Sequence, residues 1–330
     1  MKHKNIAFFI PHVGCPHQCV FCNQNSISGA AAAPTVNEVE QILQQAYRQI
    51  SDKSNTEIAF FGGSFTAIKR EYMLSLLQVS QPYLGENGFY GIRISTRPDA
   101  VSDEILQLLS KQHVTSIELG VQSLDDDVLA LNERGHTAQD VIDAVERLKR
   151  YPFSLGLQMM IGMYGSSLEK DWKTAKMIAE FAPQSVRVYP TVVLKDTPLE
   201  KLYRKGDYFP YTFDQSISLC ADLLSLFEEI YRIPVIRMGL HATESLYQQR
   251  VSGIYHPAFR ELCESALFYR KMLALLDSLS VGDRVVFYVH PQSISKAVGH
   301  QKINVEKLRK KGYNIVLKPD ASLGKYQVRL

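Results

Sequence analysis

The sequence predicts an α/β protein: a partial (β/α)6 barrel of the TIM type, followed by a mixed α/β extension. Three observations predict it. Short β-branched or aromatic runs alternate with helix-like segments through the first two hundred residues. About six strand–helix units fit there, too few for a closed eight-unit barrel. The unusual motifs of that region all fall at the carboxyl ends of predicted strands, the face that carries the active site in barrel-type α/β folds.

The strand-like runs are Ala7–Pro11, Thr56–Phe61, Gly91–Ser95, Ser116–Leu119, Ser154–Ile161 and Ser185–Val193. Between them lie helix-like segments at Val36–Ile50, Glu71–Val79, Asp103–Lys111, Asp125–Asn132, Ala138–Arg150 and Leu168–Phe181. Starts such as Ser102-Asp-Glu and Ser166-Ser-Leu-Glu carry capping side chains. The polar and aromatic stretch Lys195–Tyr211, with Pro198, Gly206 and Pro210, reads as an ordered connection. We divide the chain there: residues 1–211 as the barrel core, residues 212–330 as an extension on the substrate side. A long helical stretch, roughly Asp214–Ile230, opens the extension. Apolar runs follow at Val235–Met238, Arg284–Val289 and Tyr313–Leu317, in an order that defines no topology.

The 330 residues are 45% hydrophobic and 22% charged, an ordinary globular composition. A net charge of +3 is too small to argue for nucleic acid by itself. No basic-then-apolar leader is visible, and Ile6–Ile10 is far too short to span a bilayer. The expectation is a cytoplasmic protein. The five cysteines agree, because an odd number with three clustered reads as metal binding rather than a disulfide framework. Cys220 and Cys263 lie in helix-like, partly apolar contexts and read as core residues.

The clustered three are Cys15, Cys19 and Cys22, spaced C-x3-C-x2-C after the first strand. A closed structural zinc site and a fully ligated iron–sulfur cubane each want four protein ligands. Three thiolates leave one metal position open for a substrate or cofactor. A zinc site completed by His12 or His17 is the competing reading. The other strand ends carry Gly62-Gly-Ser-Phe-Thr66, Ser95-Thr-Arg-Pro-Asp99, Gly120-Val-Gln-Ser123 and Gln158-Met-Met-Ile-Gly162.

With Phe21 just before the last cysteine, this pattern resembles the signature of the radical S-adenosylmethionine (SAM) enzymes. Within that group the chain resembles the radical SAM domain of the Elongator catalytic subunit, which acts on tRNA. That likeness rests on Phe60–Ala67, Ile94–Asp99, Leu119–Ser123, Glu133-Arg-Gly-His-Thr137, Val188–Leu194, Thr197–Tyr203 and Gly206–Tyr211, about two-thirds of the chain. A weaker likeness extends to oxygen-independent coproporphyrinogen oxidase. Two departures stand out. The first two cysteines are closer together than in the Elongator subunit, and the chain ends at Leu330 without room for an acetyltransferase domain.

The resemblance implies a partial barrel of the radical SAM type. It implies that Cys15, Cys19 and Cys22 hold a [4Fe–4S] cluster whose fourth iron takes SAM. Reductive cleavage of SAM to a 5′-deoxyadenosyl radical would follow, driven by an electron donor such as flavodoxin or ferredoxin. By resemblance Gly62 and Gly63 meet the SAM amino group, with Ser64 as a side-chain contact. Arg134 and Arg97 are the candidates for its carboxylate, Arg134 favoured by its match to the coproporphyrinogen oxidase pattern; Arg97 reads equally well as a structural partner of Asp99. Gln122 and Gln158 carry amides suited to ribose hydroxyls. Phe21 and the Met159–Ile161 backbone suit an adenine site.

Other features read blandly. Asp125-Asp-Asp127 opens a helix and complements its dipole. His241 and Tyr255-His-Pro257 with Arg260 are substrate-side candidates that also fit ordinary packing. Lys307-Leu-Arg-Lys-Lys311 fits a solvated helix face. The substrate expected first is a tRNA base. A small molecule or a protein is the alternative, and a non-catalytic metal-binding nucleic-acid module is the reading from a different class. No oligomeric state follows from the sequence.

Overall fold

The stretch Val114–Gln122 shows how this chain builds its sheet. Successive side chains of a strand point to opposite faces. Ile117, Leu119 and Val121 are fully buried on one face, against helices. Ser116, Glu118, Gly120 and Gln122 take the other. A parallel strand covered on both sides is ordinarily apolar throughout. Polar residues at alternate positions therefore mean that the second face looks into an interior rather than onto a helix.

The protein is described by a computed structural model covering residues 4–11, 13, 15–23, 32–241, 243–276, 280–282 and 284–330. Seven parallel strands form the main sheet: β1 (Lys4–Ile10), β2 (Thr56–Gly62), β3 (Gly91–Thr96), β4 (Val114–Gln122), β5 (Ser154–Ile161), β6 (Ser185–Pro190) and, beyond β7 (Val192–Leu194), β8 (Val235–Met238). The order is β1-β2-β3-β4-β5-β6-β8, a sheet left open between its two edges. It curls, because residues of β1 and of the segment that follows β8 line one interior cavity. The expected partial barrel is present, with a seventh strand supplied by Val235–Met238 from beyond Tyr211.

The crossover helices begin on the capping residues that the sequence marks. Ser102 accepts from Ile105 N at 3.3 Å, and Thr137 forms a reciprocal capping box with Asp140. Asp125 caps its helix by accepting from Val128 N at 3.0 Å and pairs with Lys170 at 3.0 Å, the bland role expected of it.

Two elements differ from expectation. The run Ser185–Val193 breaks at Thr191, whose N–H and hydroxyl both donate to Ile161 O (3.0 and 2.8 Å). β7 then leaves the barrel and pairs antiparallel with β9 (Arg250–Gly253). The Lys195–Tyr211 connection contains a helix, Pro198–Lys205. Pro198 and Gly206 read as breakers, yet they mark its two ends. Thr197 is the N-cap, Pro198 occupies the first turn where its missing N–H costs nothing, and Gly206 closes the helix at φ +82°.

The extension carries a three-stranded sheet, with β10 (Arg284–Val289) between β11 (Asn314–Pro319) and β12 (Val328–Arg329). The long helix Phe259–Leu276 joins it to the core through Cys263, Phe268 and Met272, all fully buried. Among the described residues no helix is long and apolar enough to cross a membrane.

Candidate functional site

The cysteine loop rests on a small apolar floor. Val20, Cys19 and Phe21 are buried with Val128, Met160, Met163, Leu199 and Tyr208. Three backbone bonds hold the loop: Cys22 N donates to Cys19 O (3.0 Å), Val20 N to Asn132 O (3.3 Å) and Leu199 N to Val20 O (2.9 Å). The helix Pro198–Lys205 thus has a function the sequence does not announce, because its first turn fastens the loop.

The Gly-Gly turn after β2 is shaped by the same loop. A Cβ at Gly63 would lie 2.4 Å from Val13 O, and one at Gly62 would lie 3.0 Å from Ile10 O. Gly62 also has φ +109°. The two glycines let the backbone that carries the cysteines come close. At Gly135 an added Cβ would lie 2.2 Å from the His17 ring, so His17 packs against the Glu133–Thr137 turn. His12 lies outside the described residues. Among the described residues no three His, Cys, Asp or Glu side chains gather to hold a single metal ion. A cubane makes no such demand, since each thiolate takes a different iron.

One cavity of about 650 Å³ fills the barrel interior, a size suited to a small-molecule cofactor. The cluster and SAM candidates line it: Cys15, Cys19, Cys22, Phe21, Gly62, Gly63, Ser64, Arg97, Gln122, Arg134 and Gln158, and of the Met159–Ile161 stretch Met160 alone, Met159 and Ile161 being core residues. His241 lines it too. His256 does not. Its ring meets Phe213 and His300, and Arg260 pairs with Glu228 and Glu264 as a structural cation.

The two arginine candidates separate. Arg97 holds Asp99 with two parallel bonds (2.9 and 3.0 Å) and also donates to Arg134 O. Arg134 donates to Cys19 Sγ (3.1 Å) and Gly120 O (3.0 Å), and its buried Nε has no hydrogen-bond partner. Ser64 shares a hydrogen bond with Thr96 Oγ1 (2.9 Å) and accepts from Arg97 N (3.2 Å). Gln158 donates to Gln122 Oε1 at 3.2 Å. Gln122 adopts φ +67°, an uncommon geometry that turns its amide inward over Gly120.

His136 follows Arg134 and is buried. Burial, then Arg134 and Arg97, pull its pKa down to about 4, so it is neutral. Its Nε2–H donates to Val121 O at 3.3 Å. Asp171 accepts from Gly162 N, Ser166 Oγ and Tyr211 Oη, tying the end of β5 to the Tyr208–Tyr211 segment. Burial pushes its pKa up to about 6 against those donors.

A buried charge row on β2 to β6 escapes a reading of motifs alone. Arg93 bonds Glu57 (2.7 Å) and Glu118, and Arg187 lies against Glu118. Gly156 leaves room for the Glu118 carboxylate, since a Cβ there would lie 2.3 Å from it. The signal was present: Arg93, Glu118, Arg187 and Arg237 each alternate with apolar residues in strands of a covered sheet.

An iron–sulfur cluster with SAM suits this site. The donors are soft thiols, the cavity has the volume, and a buried guanidinium nitrogen lacks a partner. Comparisons with known proteins agree. A family model described as the radical SAM superfamily matches residues 9–178, and a radical SAM C-terminal domain matches residues 183–268. The chain is 28% identical over 262 residues to a tRNA uridine(34) acetyltransferase of Dehalococcoides mccartyi, covering 69% of this chain and 57% of that protein. It is 31% identical over 237 residues to an uncharacterised protein of Methanocaldococcus jannaschii, covering 68% and 73%. Its fold is similar to that of Methanocaldococcus infernus Elp3, solved with an N-terminal deletion (TM-score 0.62, 22% identity, 84% of this chain and 66% of that one). The match to the Dehalococcoides relative spans little more than half of that protein's length.

Proposed function

We propose, given that this chain belongs to the radical SAM superfamily of enzymes, that it binds a [4Fe–4S] cluster and SAM in the barrel cavity and modifies a tRNA base. The observation that carries this is a single cavity lined by all three clustered thiols, the Gly62–Ser64 turn, both glutamines and Arg134 with its unpartnered Nε. When bound, the cluster and SAM supply a one-electron reductive cleavage that yields a hydrogen-abstracting radical.

The chain's residues supply position and shelter. Cys15, Cys19 and Cys22 would hold the cluster, three thiolates for its four irons. Arg134 would offer its unpartnered Nε–H to the SAM carboxylate. Gln122 and Gln158 exchange their mutual bond for ribose hydroxyls. Phe21 and Met160 form an apolar wall that keeps water from the reacting centre. Arg97 has a positioning role, holding the Arg134 carbonyl while committed to Asp99. The tRNA base enters from the named relative; acetyl transfer is not part of the proposal. A flavodoxin or ferredoxin is the proposed electron donor.

Anaerobic reconstitution tests this reading. About four irons and four sulfides per chain are expected, with 5′-deoxyadenosine formed from SAM and dithionite. Cys15→Ala, Cys19→Ala and Cys22→Ala should each abolish both. Stoichiometric zinc without iron in protein purified anaerobically would sink the proposal. For the substrate, unmodified tRNA should accelerate SAM cleavage and gain a mass-altered nucleoside; acceleration by small molecules alone would remove tRNA from the reading.

A further inference from the structure

The barrel interior has more positive charge than the cofactor accounts for. Among the described residues lining the cavity, Glu118 is the only acid, beside three arginines, Arg97, Arg134 and Arg187. Arg97 has Asp99, and Arg134 is assigned above to the SAM carboxylate. Glu118 is divided between Arg93 and Arg187. Its hold on Arg187 is loose. Arg187 Nε lies 3.2 Å from Glu118 Oε2 but off the line of a hydrogen bond, and both atoms are buried without a hydrogen-bond partner. The remaining bonds of that guanidinium are long: 3.3 Å to Glu118 Oε1 and 3.4 Å to Tyr189 Oη.

A second arginine stands directly beside it. β6 and β8 pair in parallel with Arg187 opposite Arg237, which puts both side chains on the same face. Like charges opposite one another in a sheet are destabilising unless an anion lies between them. Arg237 has no carboxylate partner among the described residues. Its Nε and Nη2 donate to Gly239 O (3.0 Å) and Leu240 O (2.9 Å), which orients the group without neutralising it. His241 follows on the same loop and lines the cavity.

We propose that Arg187 and His241, which line the cavity, form with the adjacent Arg237 a subsite for an oxyanion of the substrate, a phosphate or a carboxylate. The inference rests on the radical SAM reading, since it assigns the cysteines and Arg134 of the same cavity to the cofactor. Two guanidinium groups on adjacent strands put positive charge beside such an anion: Arg237 Nη1 donates to no group among the described residues, and the Arg187 bonds are long enough to exchange. The imidazole adds a third group. Electrostatics agree with the geometry. Burial opposes the Arg187 charge, but Glu118 and Tyr189 together more than offset this and keep it charged. Burial, then Arg237 and Arg187, hold the His241 pKa below its usual value. An anion bound among them would reverse the last two influences and draw a proton onto His241.

Calorimetric titration of cluster-loaded protein with SAM present tests this, with inorganic phosphate and acetate as probes. SAM in place removes competition at Arg134. Arg237→Gln and Arg187→Gln should each weaken the tighter probe by roughly tenfold or more. Lys307→Gln, on a distant helix, should leave it unchanged. If Arg187→Gln fails to fold beside Glu118, Arg237→Gln carries the test alone, because Arg237 bonds only carbonyls. Tighter phosphate marks a phosphorylated substrate and tighter acetate a carboxylate one, and either supports the subsite. Equal affinity in wild type and Arg237→Gln, or no binding of either probe, overturns it. Iron and SAM retained without probe binding fails the subsite alone. Probe binding through Arg237 in a chain that holds no iron fails the radical reading instead.

Discussion

Arg97 and Arg134 carry the same group in one cavity, and their partners separate their roles. Arg97 is committed to Asp99, whereas Arg134 has a buried Nε with nothing to bond. Arg134→Gln should therefore keep the iron and weaken SAM by roughly tenfold to a hundredfold, the effect of losing about 1.5–3 kcal/mol from a charged hydrogen bond. Equilibrium dialysis with labelled SAM reads this directly; unchanged affinity would pass the carboxylate to another group. Gly63 makes a second prediction, from shape rather than charge. Its missing Cβ is the space that Val13 O approaches, at 2.4 Å from where that atom would lie. Gly63→Ala should leave the far-ultraviolet circular dichroism of the barrel intact while lowering iron uptake, because the strain falls on the backbone leading to the cysteines. Full iron uptake in that variant would mean that the loop is set elsewhere. Cys220 and Cys263 are the opposite case. Both are fully buried, and burial together with Cys263 pushes the Cys220 thiol up, so replacing either by alanine should leave the cluster untouched.

At the scale of elements, two buried groups bonded to the ends of neighbouring strands respond to acid in opposite directions. His136 bonds Val121 O in β4 and has its pKa lowered to about 4. Its neutral form belongs to the fold, so its contribution is present above the ordinary value near 6.5 and is lost as pH falls toward 4. Asp171 bonds the end of β5 and has its pKa raised to about 6. Its contribution is full below about 3.8 and is lost as pH rises through 6. Between pH 7 and pH 5 the first removes about 2 kcal/mol and the second returns about 1 kcal/mol. The wild type should therefore lose little stability over that range. Urea unfolding of apo His136→Gln should show stability rising on acidification, and Asp171→Asn should show it falling. Parallel slopes in the two variants would refute the assignment. These elements also mark how far the sequence was legible. Ser154–Ile161 and Asp103–Lys111 are read from local patterning alone, because caps and β-branched runs act within a few residues. The motif residues of the site are legible for a related reason: each sits at a strand end, and the strands are locally encoded. The helix Pro198–Lys205 was hidden because Pro and Gly mark both breaks and helix ends, and only capping geometry decides between them. The lumen charges were hidden because Arg93 and Glu118 are 25 residues apart, and Arg187 and Glu118 are 69 apart. Their meeting depends on strand order, which no local pattern carries.

Over the whole molecule, those charges run across the interior of the barrel from β2 to β6. Glu57 and Glu118 are 0% and 3% exposed, and Arg93 between them is 9% exposed. Charges so far from water are stable only while paired. Glu57 has further donors in Thr115 Oγ1 (3.0 Å) and Ser116 Oγ (2.6 Å), so the row is bonded into β4 as well as β3. Replacing Arg93 by methionine keeps most of its volume and leaves two buried carboxylates facing an apolar chain. Breaking a buried pair in this way costs about 3–5 kcal/mol. The exposed pair Arg70–Glu104, with side chains 52% and 72% accessible, gives the matched control. Arg70→Met should cost less than about 1 kcal/mol, because water already screens that contact. Urea unfolding of the two variants at neutral pH compares them in one protein. A loss at Arg93 no larger than that at Arg70 would mean that water reaches the lumen charges and that the barrel interior is solvent-filled. A loss several times larger would identify the row as a dry part of the reaction chamber, spanning five strands from Glu57 to Arg187.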